Sequence, residues 1–207
     1  MKKDCANFVF KEEALTSAFD AFKIESESIL ATGENMDKEE FKRAVVALAS
    51  ADRICAAGCG HSGIACRHFA HLMCCIDLPA RFLSPAEAVH GGLGYLHEGD
   101  VLVIVSRGGK TDELLPIVDV AKTKGATIIC VTEKTESPLA ELSDIKLKMT
   151  ISKECDKYNC QGTTSFAVTN AIFDALQTAL VEYTGYRNET FALIHPGGAV
   201  GKRLNNK

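Results

Sequence analysis

The feature that most constrains the fold is an unbroken apolar run, Val101–Val105, which lies between Asp100 and Ser106 in the middle of the chain. The run lacks the alternation of a half-buried strand and is typical of a strand covered on both faces. Four other segments have strand character, and helical periodicity separates them. The predicted strands are residues 53–58, 81–83, 100–106, 127–132 and 145–149. Strands that alternate with helices over short connections predict an α/β fold with a parallel sheet.

The first 50 residues and the segments between the strands predict the helices. Apolar side chains recur near helical spacing as far as Leu30, and a polar break covers residues 31–37. Asp37 is expected to cap a second helix, with Glu40 as its partner in a capping box. The helices predicted after the first strand are residues 64–75, 112–124, 138–140 and 163–183.

Length and composition indicate one globular domain, residues 51–207, with the helical pair 1–50 packed on it. The formal net charge of −4 argues against a nucleic-acid partner. No leader sequence and no long apolar stretch is apparent, so we expect no membrane partner. Nine cysteines in such a chain predict reduced thiols in the cytoplasm. Most are expected to be small core residues. Cys55 and Cys59 lack CxxC spacing, so we expect no metal site.

Two strand-to-helix turns have the composition of an anion cradle: a first turn, Gly58–Gly63, and a second turn, Ser106–Thr111. Glycines let the backbone approach a phosphate, and the helix that follows offers unpaired N–H groups and a partial positive charge. The acidic residue that completes a dinucleotide fingerprint is missing, and no GK[ST] follows as in a P-loop. The alternative is that both are simply tight turns of an α/β fold. Hydroxyl or positively charged groups are available on Ser62, Ser106, Arg107, Lys110 and Thr111.

Three segments resemble a known family. Ser106–Glu113 is similar to the S-x-S-G-x-[ST]-x-E loop of sugar isomerase (SIS) domains. Pro85–Gly94 resembles the P-x-E-A-x-H-G-D-L-G segment of D-arabinose 5-phosphate isomerases, and Phe191–Leu204 resembles their closing F-A-x-x-H-P-G-G-x-L-G-[KR]-x-L. The resemblance extends over about residues 44–204. We expect a short form that lacks the cystathionine-β-synthase-type domains of longer members.

The resemblance implies a three-layer αβα sandwich around a five-stranded parallel sheet, which is flavodoxin-like. It also implies a homotetramer with active sites shared between subunits. The expected activity is aldose–ketose isomerisation of a phosphosugar through an enediol, D-arabinose 5-phosphate to D-ribulose 5-phosphate, with no cofactor. The implied phosphate-binding residues are Gly60, Ser62, Ser106, Arg107, Gly108 and Thr111. The implied catalytic residues are His61, His90, Glu113, Glu154 and His195.

The chemistry agrees in part with these assignments. Isomerisation through an enediol needs a base and a group that polarises the carbonyl, which carboxylates and imidazoles supply. Each residue also has a plainer interpretation. Glu113 could be a first-turn glutamate that complements a helix dipole, Glu154 a solvated loop residue, and His90 and His195 ordinary loop histidines.

The chain departs from the family pattern around the sugar. His61 stands where the family has lysine, so an imidazole replaces the fixed charge of an ammonium group. Gly108 replaces a phosphate-loop serine, Gly92 replaces an aspartate, and Asn159–Ser165 replaces a Pro-Thr-Ser-Ser-Thr-Thr stretch. Two alternatives therefore stay open: an isomerase of another pentose or hexose phosphate, and a non-catalytic phosphosugar sensor.

Overall fold

The computed structural model of the protein describes residues 9–205, without the side chains of Asn188, Val200 and Asn205. Five parallel strands form one sheet in the order β2-β1-β3-β4-β5. The strand order reverses between β1 and β3, where Gly58 pairs with Val105 at the carboxyl ends. The strands are β1 Ile54–Gly58, β2 Ala80–Phe82, β3 Val101–Val105, β4 Thr127–Thr132 and β5 Ile145–Lys148. All five predicted strands are confirmed.

Helices cover both faces of the sheet, which confirms the three-layer sandwich. Along β3, Val101 and Val103 face a core shared with α2, α3 and α7, while Leu102 and Ile104 face a second core under α4, α5 and α6. The long helix α1 lies outside, against α7. The helices are α1 Glu12–Asn35, α2 Lys38–Ala49, α3 Gly60–Cys74, α4 Pro85–Ala88, α5 Leu115–Thr123, α6 Pro138–Glu141, α7 Thr164–Thr184, α8 Asn188–Ile194 and α9 Gly198–Asn205.

Helix α3 starts at Gly60, four residues before the predicted start at Ile64. The first helical turn is therefore made by the glycine-rich segment itself. A Cβ atom on Gly63 would lie 2.5 Å from the carbonyl oxygen of Gly58. The lack of a side chain at this position lets the start of α3 pack directly on the end of β1.

The N-terminal helices differ in detail from the prediction. The break is confined to Met36 and Asp37, because α1 continues to Asn35. Asp37 caps α2 as predicted, its carboxylate accepting from the backbone N–H groups of Glu39 at 2.8 Å and Glu40 at 3.1 Å. The prediction that Glu40 completes a capping box was wrong. Its carboxylate instead accepts from the backbone N–H of Lys146 on β5, at 2.7 Å.

Helix α1 exposes the apolar side chains that its periodicity suggested would be buried. Phe19 and Phe22 are 66% and 72% exposed, whereas the buried positions are Ser28 and Thr32. Thr32 both donates to and accepts from the backbone of Thr150, at 3.1 and 2.9 Å. A polar contact thus fixes the end of α1, and its apolar edge stays uncovered in the single chain.

Short helical segments near the sequence motifs were not predicted. These are α4, α8, α9 and two 3₁₀ turns, Gly92–Tyr95 and Asp112–Leu114. The second 3₁₀ turn occupies the predicted start of the helix at residues 112–124, so α5 begins three residues later. Within residues 9–205 we find no helix with the length and apolar character needed to cross a bilayer.

Candidate functional site

The two glycine-rich turns leave neighbouring strands at the same level of the sheet. Gly58 at the end of β1 pairs with Val105 at the end of β3. The strand order reverses between these two strands, and ligands of such sheets bind in the crevice at that point. The register of the sheet therefore brings the first and second turns side by side at this edge.

The first turn presents the start of a 15-residue helix. The backbone N–H groups of Gly60, His61 and Ser62 lie in the first turn of α3, where a helix has no internal partners for them. The His61 side chain is exposed and that of Ser62 is half-buried. This end of α3 offers N–H groups, a hydroxyl and the positive end of the helix dipole to an anion.

Hydrogen bonds within the second turn fix its shape. The hydroxyl oxygens of Ser106 and Thr111 lie 2.9 Å apart, and the backbone N–H of Gly109 donates to Ser106 Oγ at 3.0 Å. Ser106 is buried, whereas Gly108 and Lys110 are exposed. The turn is thus closed across its base and open at its tip.

Glu113 follows the second turn and lies near the first. It is exposed and belongs to the 3₁₀ turn that follows Thr111. The prediction that it lies in a regular α-helix was therefore wrong. Burial raises the pKa of the Cys59 thiol in the first turn, and the negative charge of Glu113 raises it further. A carboxylate that follows the second turn is therefore close to the first turn.

Glu154 is buried, with 1% of its surface exposed, so its interpretation as a solvated loop residue was wrong. Its Oε1 accepts from Arg107 Nη1 at 2.7 Å. Its Oε2 accepts from the backbone N–H of Ser165 at 3.1 Å and from Thr163 Oγ1 at 3.3 Å. The carboxylate therefore sits at the N-terminus of α7, where the helix dipole favours a negative charge.

Arg107, predicted as a phosphate ligand, also contacts a second carboxylate. Its Nε donates to Glu133 Oε2 at 2.9 Å, and Lys134 Nζ donates to the other oxygen of Glu133 at 2.8 Å. Burial opposes ionisation of Glu133, but the hydrogen bonds from Lys134 and Arg107 outweigh it and lower the pKa of that carboxyl group. Arg107 thus links the carboxyl ends of β3 and β4 to the loop after β5.

His61 packs against the loop that carries Glu154. A Cβ atom on Gly162 would lie 3.2 Å from both Cγ and Nδ1 of His61, so the ring rests directly on the Gly162 backbone. The edge of the imidazole meets Phe166 on α7, with ring centroids 6.1 Å apart. Because Thr163 bonds Glu154, these contacts bring His61 and Glu154 to the same short segment.

The two predicted loop histidines occupy different regions. His90 is exposed and follows α4, which packs against the 3₁₀ turn that contains Glu113. His195 stacks on Phe191, with ring centroids 3.8 Å apart, at the end of α8. Helix α7, 21 residues long, separates α8 from Glu154 by about 31 Å along its axis. Within one chain, His195 thus comes after the C-terminal end of α7, whereas Glu154 lies at the N-terminal end of that helix.

Three residues that shape this region were given no role from the sequence: Glu133, which was missed, and Gly162 and Thr163, which lie in the Asn159–Ser165 stretch noted as a departure from the family pattern. Glu133 directly follows β4 and lies at the same sheet edge as both turns, which is the signal that could have identified it. Thr163 directly precedes α7. The contact of Gly162 with His61 has no local sequence signal.

No group of three or more His, Cys, Asp or Glu side chains suited to a metal ion occurs within the part of the chain that the structure describes. The groups gathered at the switch point are hydroxyls, backbone N–H groups, carboxylates and imidazoles. Such groups bind anions and transfer protons.

The fold and site define an α/β domain of the doubly wound class, with two glycine-rich turns at its topological switch point. Residues 47–179 match the SIS domain family. A crystal structure from Listeria monocytogenes superposes with a TM-score of 0.88 at 38% identity, over 92% of this chain and 100% of that one. The chain belongs to the SIS domain family.

The similar proteins include isomerases. The arabinose 5-phosphate isomerase KdsD of Pseudomonas aeruginosa is 37% identical over 157 residues, which are 76% of this chain and 48% of the relative. KpsF of Escherichia coli, also named an arabinose 5-phosphate isomerase, is 31% identical over 92% of this chain and 58% of its own. The chain spans about half the length of the curated relatives it matches. The Escherichia coli CFT073 protein c3406, in complex with arabinose 5-phosphate, has a TM-score of 0.84 at 26% identity, over 91% of this chain and 100% of that one.

Proposed function

We propose that this protein interconverts an aldose phosphate and its ketose partner, D-arabinose 5-phosphate and D-ribulose 5-phosphate. One observation carries the proposal: the hydroxyl-lined turns meet at the switch point of the sheet, with Glu113 and Glu154 beside them. The names of the relatives and the arabinose 5-phosphate complex of a similar fold support the substrate.

The phosphate site proposed is the crevice between the two turns. The N–H groups at Gly60 and the hydroxyl of Ser62 approach the phosphate from the first turn. From the second turn, Ser106 and Thr111 supply hydroxyls and Gly108 leaves open space, whereas Arg107, which the resemblance implied as a charged ligand, bonds Glu133 and Glu154. Several neutral donors suffice for one phosphate at a helix N-terminus, which agrees with the net charge of −4.

The carboxylates then carry the proton transfers. Glu154, held in place by three hydrogen bonds, takes the proton from C2 of the open aldose and returns it to C1. O1 gains a proton as the enediol forms, and O2 loses one as C1 is protonated, which leaves the ketone at C2. Glu113, His61 and His90 assist ring opening and the proton transfers at the two oxygens.

We propose that the active form is a homotetramer in which His195 completes a neighbour's site. His195 caps α8, which follows the C-terminal end of α7, whereas Glu154 bonds the N-terminal end of α7. The exposed Phe19 and Phe22 form an apolar edge of the kind that marks protein interfaces. Apolar side chains of α1, α2 and α7 also line a groove of about 510 Å³. We further propose that residues 1–50 form N-terminal helices that pack on the domain 51–207 and take part in assembly; residues 1–8 and 206–207 lie outside the described residues.

The cysteines support a cytoplasmic location, which we also propose. Every cysteine within residues 9–205 is a free thiol, including the adjacent pair Cys74 and Cys75. Persistent free thiols are typical of reducing compartments. The expectation that most cysteines are core residues holds only for Cys55, Cys66 and Cys130, since the other five described cysteines are partly or fully exposed.

The test is to incubate the purified protein with ribulose 5-phosphate and follow arabinose 5-phosphate by NMR between pH 6 and 9. Glu154→Gln should reduce turnover by at least about 10³-fold, because an amide cannot accept the C2 proton. The same variant should still gain thermal stability from the phosphosugar. Absence of turnover by the wild type over this pH range would rule out this substrate.

A second candidate, a phosphosugar sensor without chemistry, is favoured by one observation. In the first turn, His61 stands where the family pattern has lysine, so the fixed positive charge of that pattern is absent. The imidazole rests instead on Gly162. A sensor would gain melting temperature from phosphosugars and convert none of them. The experiment above separates the two candidates, since both predict binding and only the isomerase predicts turnover.

A further inference from the structure

Three charged side chains form two consecutive ion pairs at the carboxyl edge of the sheet, Glu133 with Arg107 and Arg107 with Glu154. We propose that Arg107 is a positioning residue, which holds Glu154 in the orientation that proton transfer requires while Glu133 holds Arg107. We call this arrangement the Arg107 bridge. The proposal rests on the isomerase function and gives Arg107 a role different from gripping the phosphate.

The burial of Glu154 makes a cationic partner necessary. Its side chain is 2% exposed, and an ionised carboxylate withdrawn from water is strongly unfavourable unless it is paired and hydrogen-bonded. The partners available to it within the described residues are Arg107 and the neutral donors Thr163 and Ser165. Among residues 9–205, Arg107 therefore supplies the one full positive charge in contact with this carboxylate.

The hydrogen bonds also fix how the carboxylate is oriented. An ionised carboxylate has about four acceptor positions. On Glu154, two bonds on Oε2 come from the N-terminus of α7, and one bond on Oε1 comes from Arg107. The remaining acceptor position is on Oε1, the atom that Arg107 holds. Loss of Arg107 would therefore remove the bond that orients Oε1, the oxygen that accepts the substrate proton in this proposal.

Arg107 is itself held at both ends. Its backbone carbonyl accepts from the Glu133 N–H at 3.0 Å and from Thr132 Oγ1 at 3.1 Å. Its guanidinium Nε donates to the Glu133 carboxylate, which Lys134 bonds from the other side. A planar guanidinium can contact two carboxylates in fixed directions, which a lysine ammonium cannot do as rigidly. Glu133 thus acts on Glu154 only through Arg107.

The first test separates the bridge from a phosphate contact by steady-state kinetics. Arg107→Met should lower kcat by about 10²-fold, the order expected when a catalytic group is displaced by an ångström. KM and inhibition by inorganic phosphate should change by less than about threefold. Glu133→Gln should lower kcat in the same direction by roughly three- to tenfold, since it weakens only the outer contact. The matched control is Arg43→Met, because Arg43 pairs with Glu40 on α2 and bonds the Asp144 carbonyl before β5.

The opposite pattern would overturn the proposal. If Arg107 grips the phosphate, KM and the phosphate inhibition constant rise by about tenfold or more with kcat nearly unchanged, and Glu133→Gln has no effect on kcat. If Arg107→Met does not fold, Glu133→Gln decides between the two outcomes, because it keeps the shape and hydrogen bonding of the side chain.

A double-mutant cycle keeps the test independent of turnover. Arg107→Met should lower Tm by several degrees, because Glu154 is left buried without a cation. Adding Glu154→Gln in the same chain should recover most of that loss, since the buried charge is removed as well. Additive losses of Tm in the two variants would contradict the Arg107 bridge even if the enzyme is active. A wild type without turnover but with this recovery would refute the proposed function and leave the pairing established.

Discussion

The two turns at the switch point are built in different ways. The first turn, Gly58–Gly63, takes its shape from backbone packing, because the start of α3 lies directly on the end of β1. The second turn, Ser106–Thr111, takes its shape from side chains, with one hydroxyl pair across its base and the Arg107 bridge beside it. The comparison teaches that backbone atoms leave no room for a Cβ at Gly58 or Gly63 in the first turn, whereas side chains shape the second turn, including Ser137, which leaves no room for a Cβ at Gly109.

The largest effect should come from adding one methyl group to the first turn. Gly63→Ala places a Cβ atom 2.5 Å from the Gly58 carbonyl oxygen, so the start of α3 must move. We expect a loss of about 1–3 kcal/mol of stability, about 2–4 °C in Tm per kcal/mol, together with loss of phosphate-induced stabilisation. Thermal unfolding with and without phosphate measures both. Gly108→Ala is the control for folding, since its Cβ meets open space; equal losses of Tm in the two variants would contradict the comparison.

In the second turn, polar deletions should matter in proportion to the bonds lost. Ser106→Ala removes a hydroxyl that bonds both Thr111 and the Gly109 N–H within a buried site. We expect a loss of about 1–2 kcal/mol, against less than about 1 kcal/mol for Thr111→Val, which loses one partner. Urea unfolding compares the two variants. A larger loss in Thr111→Val would show that Ser106 does not organise the turn.

The contact between His61 and Gly162 allows a smaller test. Gly162→Ala places a Cβ atom 3.2 Å from the imidazole, and the exposed ring can rotate away with little strain. We expect Tm to change by no more than about 2 °C, while kcat falls severalfold if His61 takes part in catalysis. In a His61→Ala background the glycine substitution should have no further effect on kcat. A further fall there would mean that Gly162 acts through another residue.

The smallest effect should be a pH-dependent one in the loop that follows Glu154. Backbone N–H groups of Gln161, Cys160 and Tyr158 bond the Asp156 carboxylate and lower the pKa of that group below its ordinary value of 3.8. A carboxyl group with a lowered folded pKa contributes stability above the unfolded pKa and loses it as the pH falls through the folded one.

We therefore expect Asp156→Asn to lower Tm by no more than about 2 °C near neutral pH, the range of a surface substitution. The difference between variant and wild type should be constant above about pH 5 and should shrink as the pH falls below about 4. A difference that grows on acidification would show that the wild-type loop does not gain from the ionised carboxylate.

The sheet was predictable because buried parallel strands leave a direct record in the sequence. The run Val101–Val105 has no polar position, since both of its faces are covered by helices. The helix boundaries were less predictable. Helix α3 begins within the glycine-rich turn, and α1 buries Ser28 and Thr32 while exposing Phe19, because helix termini and helix orientation depend on packing with distant segments.

The site residues were predictable from motifs, and their contacts were not. Glu154 was identified by its place in the family pattern, but its burial depends on Arg107, which is 47 residues away in sequence. Glu133 carried no motif and was missed. Its role follows from a position at the end of β4, one strand away from Arg107.

The sequence by itself determined the parallel sheet and the two turns at its carboxyl edge, because both depend on local composition and periodicity, and it indicated the family through the resemblance of three motifs. The tertiary structure alone decided which charges meet there. Ion pairs such as Arg107 with Glu154 join residues from separate strand ends, and their geometry is set by strand order and by the burial of the carboxylate. The physical reason is that a buried charge is stabilised by the partners that the fold brings to it, wherever they lie in the sequence.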